Sequence, residues 1–236
     1  MPRLTVNLSH RAVVALRGYC VIHEEQVALG PPGLIYSAYA DSISSALASR
    51  QSALDAALIR LKLGTATLSE IAARLVETLR SGHKVLIAGN GGSAAGAQHL
   101  AAELIGRFKR EREAYAAISL TTDTAIPTAV ANDYGYQDVF ARQVSGLGQP
   151  DDLFIAFSTS GESENLARAA SAARKQQMVS IAVTGDRPSR LERLADLTVR
   201  VPSVDTALVQ ELHLVVTHLL CDVVESELAA WKGAAG

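Results

Sequence analysis

The residues best suited to chemistry lie on two predicted helices, one in the middle of the chain and one near its end. His99 and Glu103 are four positions apart on the first helix, so they share a face and lie about 6 Å apart. Gln210 and His218 are eight positions apart on the second and can face one pocket less tightly than an i, i+4 pair, with His213 and Glu211 as competitors. Imidazole, carboxylate and amide groups form a plausible donor set for zinc, with one position open. The alternative is a surface helix pair and a core histidine.

Two polar loops each follow an apolar segment and precede a helix. The first, GNGGSAAG at 89–96, has small residues that let backbone amides approach an anion at a helix N-terminus. It lacks the Gly-Lys-Ser/Thr of a nucleotide P-loop. The second, STSGES at 158–163, has four hydroxyls around one glycine, with Ser163 as the natural N-cap. Since ligands of open α/β sheets bind at the carboxyl ends of strands, the pair predicts a phosphate site; plain turns and caps are the alternative.

The elements that must position these residues alternate between short apolar runs and helical segments. Near-continuous apolar runs of this length are typical of strands covered on both faces. Strands are predicted at 85–88, 116–120, 153–157, 179–183 and 197–201, with crossover helices at 163–176 and 189–195. Long helices are predicted at 35–63 and 206–230, and a shorter one from Ser69 to Leu79, capped by Thr67 or Ser69. This order predicts a parallel, doubly wound sheet with right-handed connections.

Composition favours a layered α/β protein. The chain has 236 residues, of which 48% are hydrophobic and 5% aromatic, and this length suits one well-buried domain. A net charge of -2 gives no general attraction for nucleic acid or an anionic membrane. Cys20 and Cys221 are too few and too distant for a disulfide framework, which predicts a reducing compartment, the cytoplasm. No apolar run reaches the roughly 18 residues of a membrane span.

The first 34 residues differ from the rest of the chain. They contain Arg3, Arg11 and Arg17 with no acid before Glu24, and they break at GPPG, 30–33. The segment lacks the long apolar stretch and cleavage site of a secretory signal, although a transit peptide is another interpretation. We interpret 1–34 as a disordered or dispensable extension and 35–236 as a single domain.

Several sequence blocks resemble one known family. AGNGGS at 88–93, followed by Gln98-His99 and ELIGR at 103–107, is similar to the signature of bacterial sedoheptulose 7-phosphate isomerases, the phosphoheptose isomerases. NDYGY at 132–136, STSGES at 158–163 and VQELH at 209–213 with His218 resemble it as well. The blocks occur in the family's order and spacing, and the likeness covers about 36–227.

The resemblance implies a fold, a reaction and an assembly. The fold would be an α/β three-layer sandwich of the SIS type, with a five-stranded parallel sheet flanked by helices and N-terminal helices for oligomer packing. The enzyme would convert sedoheptulose 7-phosphate to D-glycero-D-manno-heptose 7-phosphate by metal-assisted enediol proton transfer, the first step towards activated heptose for lipopolysaccharide. It would be a cytoplasmic homotetramer with one zinc ion per subunit and its active site at a subunit boundary.

The resemblance also assigns roles to residues. The zinc positions are His99, Glu103, Gln210 and His218, and Glu103 with His218 is the acid–base pair. The substrate positions are Asn90, Gly91, Gly92, Ser93, Glu103, Asp133, Ser158, Thr159, Ser160, Ser163 and Gln210. Around Ala207 the chain lacks an acidic group that some relatives use, which Asp205 could replace.

Three other functions share this scaffold. Stretches 93–102 and 121–133 look as close to non-catalytic relatives that bind the bacterial replication initiator. Those binders lack counterparts of Glu103 and His218, which favours an isomerase here. A regulatory module that senses a sugar phosphate usually carries a DNA-binding domain, and no basic helix-turn-helix is evident. Amino-sugar isomerases remain a further alternative, because they share serine-rich phosphate loops.

Overall fold

The structure, a computed structural model, describes residues 36–234. The predicted extension at 1–34 lies outside these residues. The chain divides into two compact units, 1–46 and 47–236. Of the first unit, the described part is the beginning of one helix; the second unit contains the sheet and the candidate site.

Strands and helices alternate as the sequence predicts. The strands are β1 Val85–Gly89, β2 Ala117–Ser119, β3 Leu153–Ser158, β4 Val179–Thr184 and β5 Leu197–Arg200. The helices are α1 Tyr36–Leu61, α2 Thr65–Arg80, α3 Gly92–Ile105, α4 Ala125–Tyr134, α5 Ala141–Leu147, α6 Glu164–Lys175, α7 Arg190–Leu194 and α8 Thr206–Ala234. Single 3-10 turns lie at Lys62–Gly64 and Tyr136–Asp138.

The five strands form one parallel sheet in the order β2-β1-β3-β4-β5. The chain therefore reverses its direction of winding at β1 and β3, which are neighbours. Gly89 is paired with Phe157 at their carboxyl ends. Ligands of open α/β sheets bind at such a switch point, and both polar loops begin there.

Helices cover both faces of the sheet because side chains alternate along each strand. Val85 and Ile87 pack with α2, α3 and α8 in one buried cluster. Leu86 and Ala88 pack with α5, α6 and α7 in the other. A strand that is apolar at every position is required to fill both layers. This confirms the predicted three-layer sandwich.

The differences from the predicted elements lie in short or weakly buried helices. Helix α2 begins at Thr65 rather than at Ser69, and its N-cap Gly64 has no side chain with which to cap it. Helices α4 and α5 were not predicted. Helix α4 has no fully buried side chain, so it leaves no apolar periodicity, and α5 spans seven residues.

The segment Thr206–Ala229 of α8 is long and apolar enough, by length and composition, to cross a membrane, and half of it is buried in the fold. Its side chains Val209, Leu212, Val216 and Val224 belong to the core beneath the sheet. A core helix of a soluble protein passes the same test, so this helix is weak evidence for a membrane span.

Candidate active site

Three of the predicted site residues meet where α8 packs against α3. His99 Nε2 lies 3.2 Å from Glu103 Oε1, as expected for neighbours one helical turn apart. His218 brings its Nε2 to within 3.0 Å of His99 Nε2. One ligand atom from each residue lies within 4.8 Å of the others. The interpretation as an unrelated surface pair and core histidine is therefore wrong for this fold.

This donor set fits a divalent metal ion. Bonds of about 2.0–2.1 Å in tetrahedral geometry place neighbouring ligand atoms roughly 3.3 Å apart, close to the 3.2 Å and 3.0 Å found here. Two imidazoles and a carboxylate suit zinc and similar ions. Each of the three side chains is half-buried, so solvent or substrate can reach an open coordination position.

Gln210 lies farther along α8. Its side-chain amide packs so closely on Gly92, in the first turn of α3, that a Cβ at Gly92 would collide with it. Eight residues separate Gln210 from His218, about 12 Å along the helix axis. The atoms that converge are those of His99, Glu103 and His218, and a ligand role for Gln210 stays a prediction.

His213 occupies a different environment from His218. It is buried beside Phe157, with ring centroids 5.6 Å apart. Neither ring nitrogen makes a hydrogen bond of normal geometry to any residue in 36–234. Burial lowers the pKa of His213 to about 4, and the nearby backbone of Thr184 offsets only part of this effect. The helix thus directs His218, and not His213, towards His99.

The first polar loop is fixed to the second by a pair of asparagines. Asn90 Nδ2 donates to Asn165 Oδ1 over 3.0 Å, and Asn165 Nδ2 donates to Asn90 Oδ1 over 2.9 Å. Tyr136 Oη also donates to Asn90 Oδ1, at 2.9 Å. Asn165 is buried and accepts the backbone N–H of Leu166. Sequence reasoning missed Asn165, although its place in the first turn after the STSGES loop was a signal.

Two hydroxyls of the second loop accept hydrogen bonds from the loop's own backbone. Ser158 Oγ accepts the Gly161 N–H at 3.0 Å and Ser160 Oγ accepts the Glu162 N–H at 3.2 Å, which leaves each hydroxyl hydrogen free to point elsewhere. Gly161 has φ +70°, a conformation that favours glycine. Ser163 stands at the N-cap of α6, but among the described residues its side chain makes no capping hydrogen bond.

The remaining predicted positions surround these loops. Ser93 is buried, and its backbone N–H donates to the Asn90 carbonyl at 2.9 Å. Gly91, with φ +54°, is the N-cap of α3. The Thr159 carbonyl accepts the Gly185 N–H. Asp133 is exposed and accepts a hydrogen bond from Asn132 at 2.9 Å; its role in substrate binding stays a prediction.

Asp205 has a structural role that the sequence suggestion did not include. Its carboxylate accepts the Leu208 N–H at 2.9 Å and so caps α8. It also pairs with Arg50 at 3.3 Å. The Leu208 backbone bond, together with Arg50, holds the pKa of Asp205 below its usual range.

Known proteins share both the sequence and the fold. The model of the SIS domain matches residues 51–185. The chain is 47% identical over 186 residues to a phosphoheptose isomerase of Bradyrhizobium sp. (strain ORS 278), covering 79% of this chain and 93% of the relative. It is 52% identical over 158 residues to a phosphoheptose isomerase of Roseiflexus sp. (strain RS-1), covering 67% of this chain and 80% of that relative. The solved phosphoheptose isomerase of Neisseria gonorrhoeae superposes with a TM-score of 0.73 at 36% identity, covering 80% of this chain and 99% of that one.

Proposed function

Since the chain belongs to the phosphoheptose isomerase family of SIS-domain enzymes, we propose that it converts sedoheptulose 7-phosphate to D-glycero-D-manno-heptose 7-phosphate. The observation that carries this proposal is the convergence of His99, Glu103 and His218. The same convergence favours catalysis over binding of the replication initiator, for which no acid–base group is needed.

The side chains of this cluster suit a ketose–aldose exchange. The reaction takes a proton from the carbon next to a carbonyl, returns one to the neighbouring carbon, and relays hydroxyl protons through an enediol. A carboxylate and an imidazole can carry these protons near neutral pH. Glu103 has a second carboxylate oxygen and His218 a second ring nitrogen, so each can bind at one atom and move a proton at another.

One zinc ion per subunit is the metal we propose for this cluster. His99, Glu103 and His218 would hold it, and the resemblance adds Gln210 as the fourth ligand, although in this chain its side chain packs on Gly92. When bound, zinc would act as a Lewis acid that polarises a substrate oxygen. The chain's own part is to fix the two imidazoles and the carboxylate on two rigid, packed helices, so that the acid–base groups are in place before substrate arrives.

The phosphate end of the substrate would bind at the carboxyl ends of β1 and β3. Ser158, Thr159, Ser160 and Ser163 supply neutral hydroxyl donors, and the N-terminus of α6 adds partial positive charge. Asn90, Gly91, Gly92, Ser93 and Asp133 would line the sugar beside them. Ser163 supports this proposal, because within 36–234 its side chain makes no capping hydrogen bond and capping therefore does not account for it.

A homotetramer with shared active sites is part of the proposal. Helix α8 exposes Leu219 and Val223, which line a groove of about 560 Å³ against α2. Exposed apolar patches of this kind mark protein interfaces. His99 lies seven residues beyond Gly92, roughly 10 Å along α3, so the metal cluster and the first polar loop lie at different positions along this helix. We propose that a neighbouring subunit closes the cleft between them.

The proposed setting is the cytoplasm, where the product would supply activated heptose for lipopolysaccharide. The experiment that tests the function is incubation of purified, metal-analysed protein with sedoheptulose 7-phosphate, followed by proton NMR. Appearance of the aldose phosphate supports the proposal. Failure of the folded protein to produce the aldose phosphate at any metal content contradicts it.

A further inference from the structure

A buried carboxylate on α8 holds the segment that follows α3, residues 106–112. Glu225 is only 1% exposed. Its Oε1 accepts the Phe108 N–H at 2.6 Å, and its Oε2 accepts the N–H groups of Lys109 at 2.9 Å and Arg110 at 3.0 Å. A carboxylate taken from water needs such compensation. Burial alone would raise the pKa of Glu225, but these backbone donors and Arg112 hold it below its ordinary value.

Arg112 completes this arrangement and ties it to the end of α3. Its Nε donates to Glu225 Oε1 at 3.1 Å, and both side chains are almost fully buried. The rest of the guanidinium donates to the carbonyls of Glu103 at 2.7 Å and Leu104 at 2.9 Å. The last carbonyls of a helix have no partner within the helix, so Arg112 acts as the cap of α3 at the turn that carries Glu103.

Phe108 links the buried carboxylate to the histidine. Its ring stacks on the imidazole of His218, with centroids 5.2 Å apart and an interplanar angle of 25°. The backbone N–H of the same residue is the one bound by Glu225 Oε1. Glu225 therefore fixes the position of the Phe108 ring, which packs directly on His218. Glu225 itself lies two turns beyond His218 on α8.

We propose that the Arg112–Glu225 pair, acting through Phe108, is a positioning device that sets the geometry of Glu103 and His218 in the candidate metal and acid–base site. The inference rests on the proposed function of that site. Arg112 fixes the backbone turn of Glu103, and Phe108 limits rotation of the His218 ring. Partners that orient metal ligands typically change metal affinity or activity roughly 10- to 100-fold when removed.

The test separates positioning from folding by comparing two variants. Phe108→Leu keeps the Arg112–Glu225 pair and an apolar contact but removes the flat ring over His218. Glu225→Gln keeps the side-chain volume and removes the charge that holds three backbone N–H groups. For each we would measure zinc affinity by competition with a chromophoric chelator, kcat and KM for sedoheptulose 7-phosphate, and the unfolding midpoint.

Asp222→Asn is the matched control. Asp222 lies one turn before Glu225 and pairs with Lys109 and Arg110 of the same segment, both at 3.0 Å, but through their side chains and not their backbone N–H groups. We expect Phe108→Leu and Glu225→Gln each to weaken zinc binding and lower kcat by about tenfold or more. We expect KM to change little, because neither substitution alters the hydroxyl loop at 158–163. We expect the control to stay near the parent protein.

Two outcomes would overturn the inference. The first is a Phe108→Leu protein with unchanged zinc affinity and kcat, since the ring would then have no positioning effect. The second is a Glu225→Gln protein whose only defect is a lower unfolding midpoint. If the parent protein does not isomerise the substrate, the proposed function fails, and the inference is then decided by zinc affinity alone; a parent protein that neither binds zinc nor isomerises overturns both.

Discussion

The Nε2 atoms of His99 and His218 lie 3.0 Å apart, although 119 positions separate the two residues in the chain. No local interaction brings them together. They meet because α3 and α8 pack side by side on one face of the sheet and share a buried cluster that includes Leu100, Leu104 and Cys221. The chemistry of this protein is therefore a property of how two core helices pack.

Replacing His99 should remove metal from the protein. His99→Ala deletes the central donor, which lies within 3.2 Å of both other groups, so we expect zinc affinity to fall at least tenfold. His83→Ala is the control, because His83 lies just before β1, with its Nδ1 3.8 Å from Asp152 Oδ1. Bound metal per chain after dialysis against a weak chelator measures the effect. Equal metal content in the two variants would contradict the assigned site.

Two serines at helix N-caps should behave differently. Ser189 makes a full capping box with Glu192, so Ser189→Ala should lower the free energy of unfolding by about 1 kcal/mol. Ser163 makes no capping bond within 36–234, so Ser163→Ala should leave stability nearly unchanged and raise KM for the sugar phosphate. Urea unfolding and steady-state kinetics check both. A Ser163→Ala protein with lower stability and unchanged KM would show that this serine is only a cap.

The asparagine pair should matter for folding. Asn165→Ala deprives the half-buried Asn90 amide of two hydrogen bonds, and each such bond contributes about 0.5–1.5 kcal/mol. Asn132→Ala is the control, since it removes one exposed hydrogen bond to Asp133. Urea unfolding should rank Asn165→Ala well below Asn132→Ala. Equal values would mean that the pair does not stabilise the loops.

His213 should give the protein a specific sensitivity to acid. Its pKa is about 4 in the fold against an ordinary value of 6.5, so between these values the unfolded chain binds a proton that the folded chain excludes. Stability is complete above pH 6.5 and falls as the pH drops to 4, by about 3 kcal/mol in total. His213→Leu should lose this part of the pH dependence. Urea unfolding from pH 4 to 7 measures it, and parallel curves for the two proteins would contradict the buried neutral histidine.

Much of the fold could be predicted because the strands must be apolar on both faces. Segment 153–157 is apolar without interruption and 179–183 is apolar apart from Ser180, and the structure places them as β3 and β4. Helix α4 could not be found in this way, because within the described chain it buries no side chain completely. Pro127 lies in the first turn of α4, where proline is tolerated, but in a sequence proline generally indicates a turn or loop.

The site was predicted only in part, for a similar reason. The spacing of His99 and Glu103 indicated a shared helix face, and the resemblance to known isomerases assigned His218, already a candidate, to the same site. Arg112 lies in the charged run KREREA and Glu225 on a helix face with other acids, so both resemble solvated residues. Their burial depends on the path of 106–112 over α8, a tertiary feature that no local pattern records.

The most direct test of the central claim is proton NMR of sedoheptulose 7-phosphate incubated in deuterated water with the parent protein, Glu103→Gln and Glu111→Gln. Glu111 is an exposed glutamate near the same helix and serves as the control. We expect the parent and Glu111→Gln to form the aldose phosphate with deuterium at the carbon that receives the proton, and Glu103→Gln to be about 10²- to 10⁴-fold slower. A Glu103→Gln protein that retains most of the activity would contradict the account.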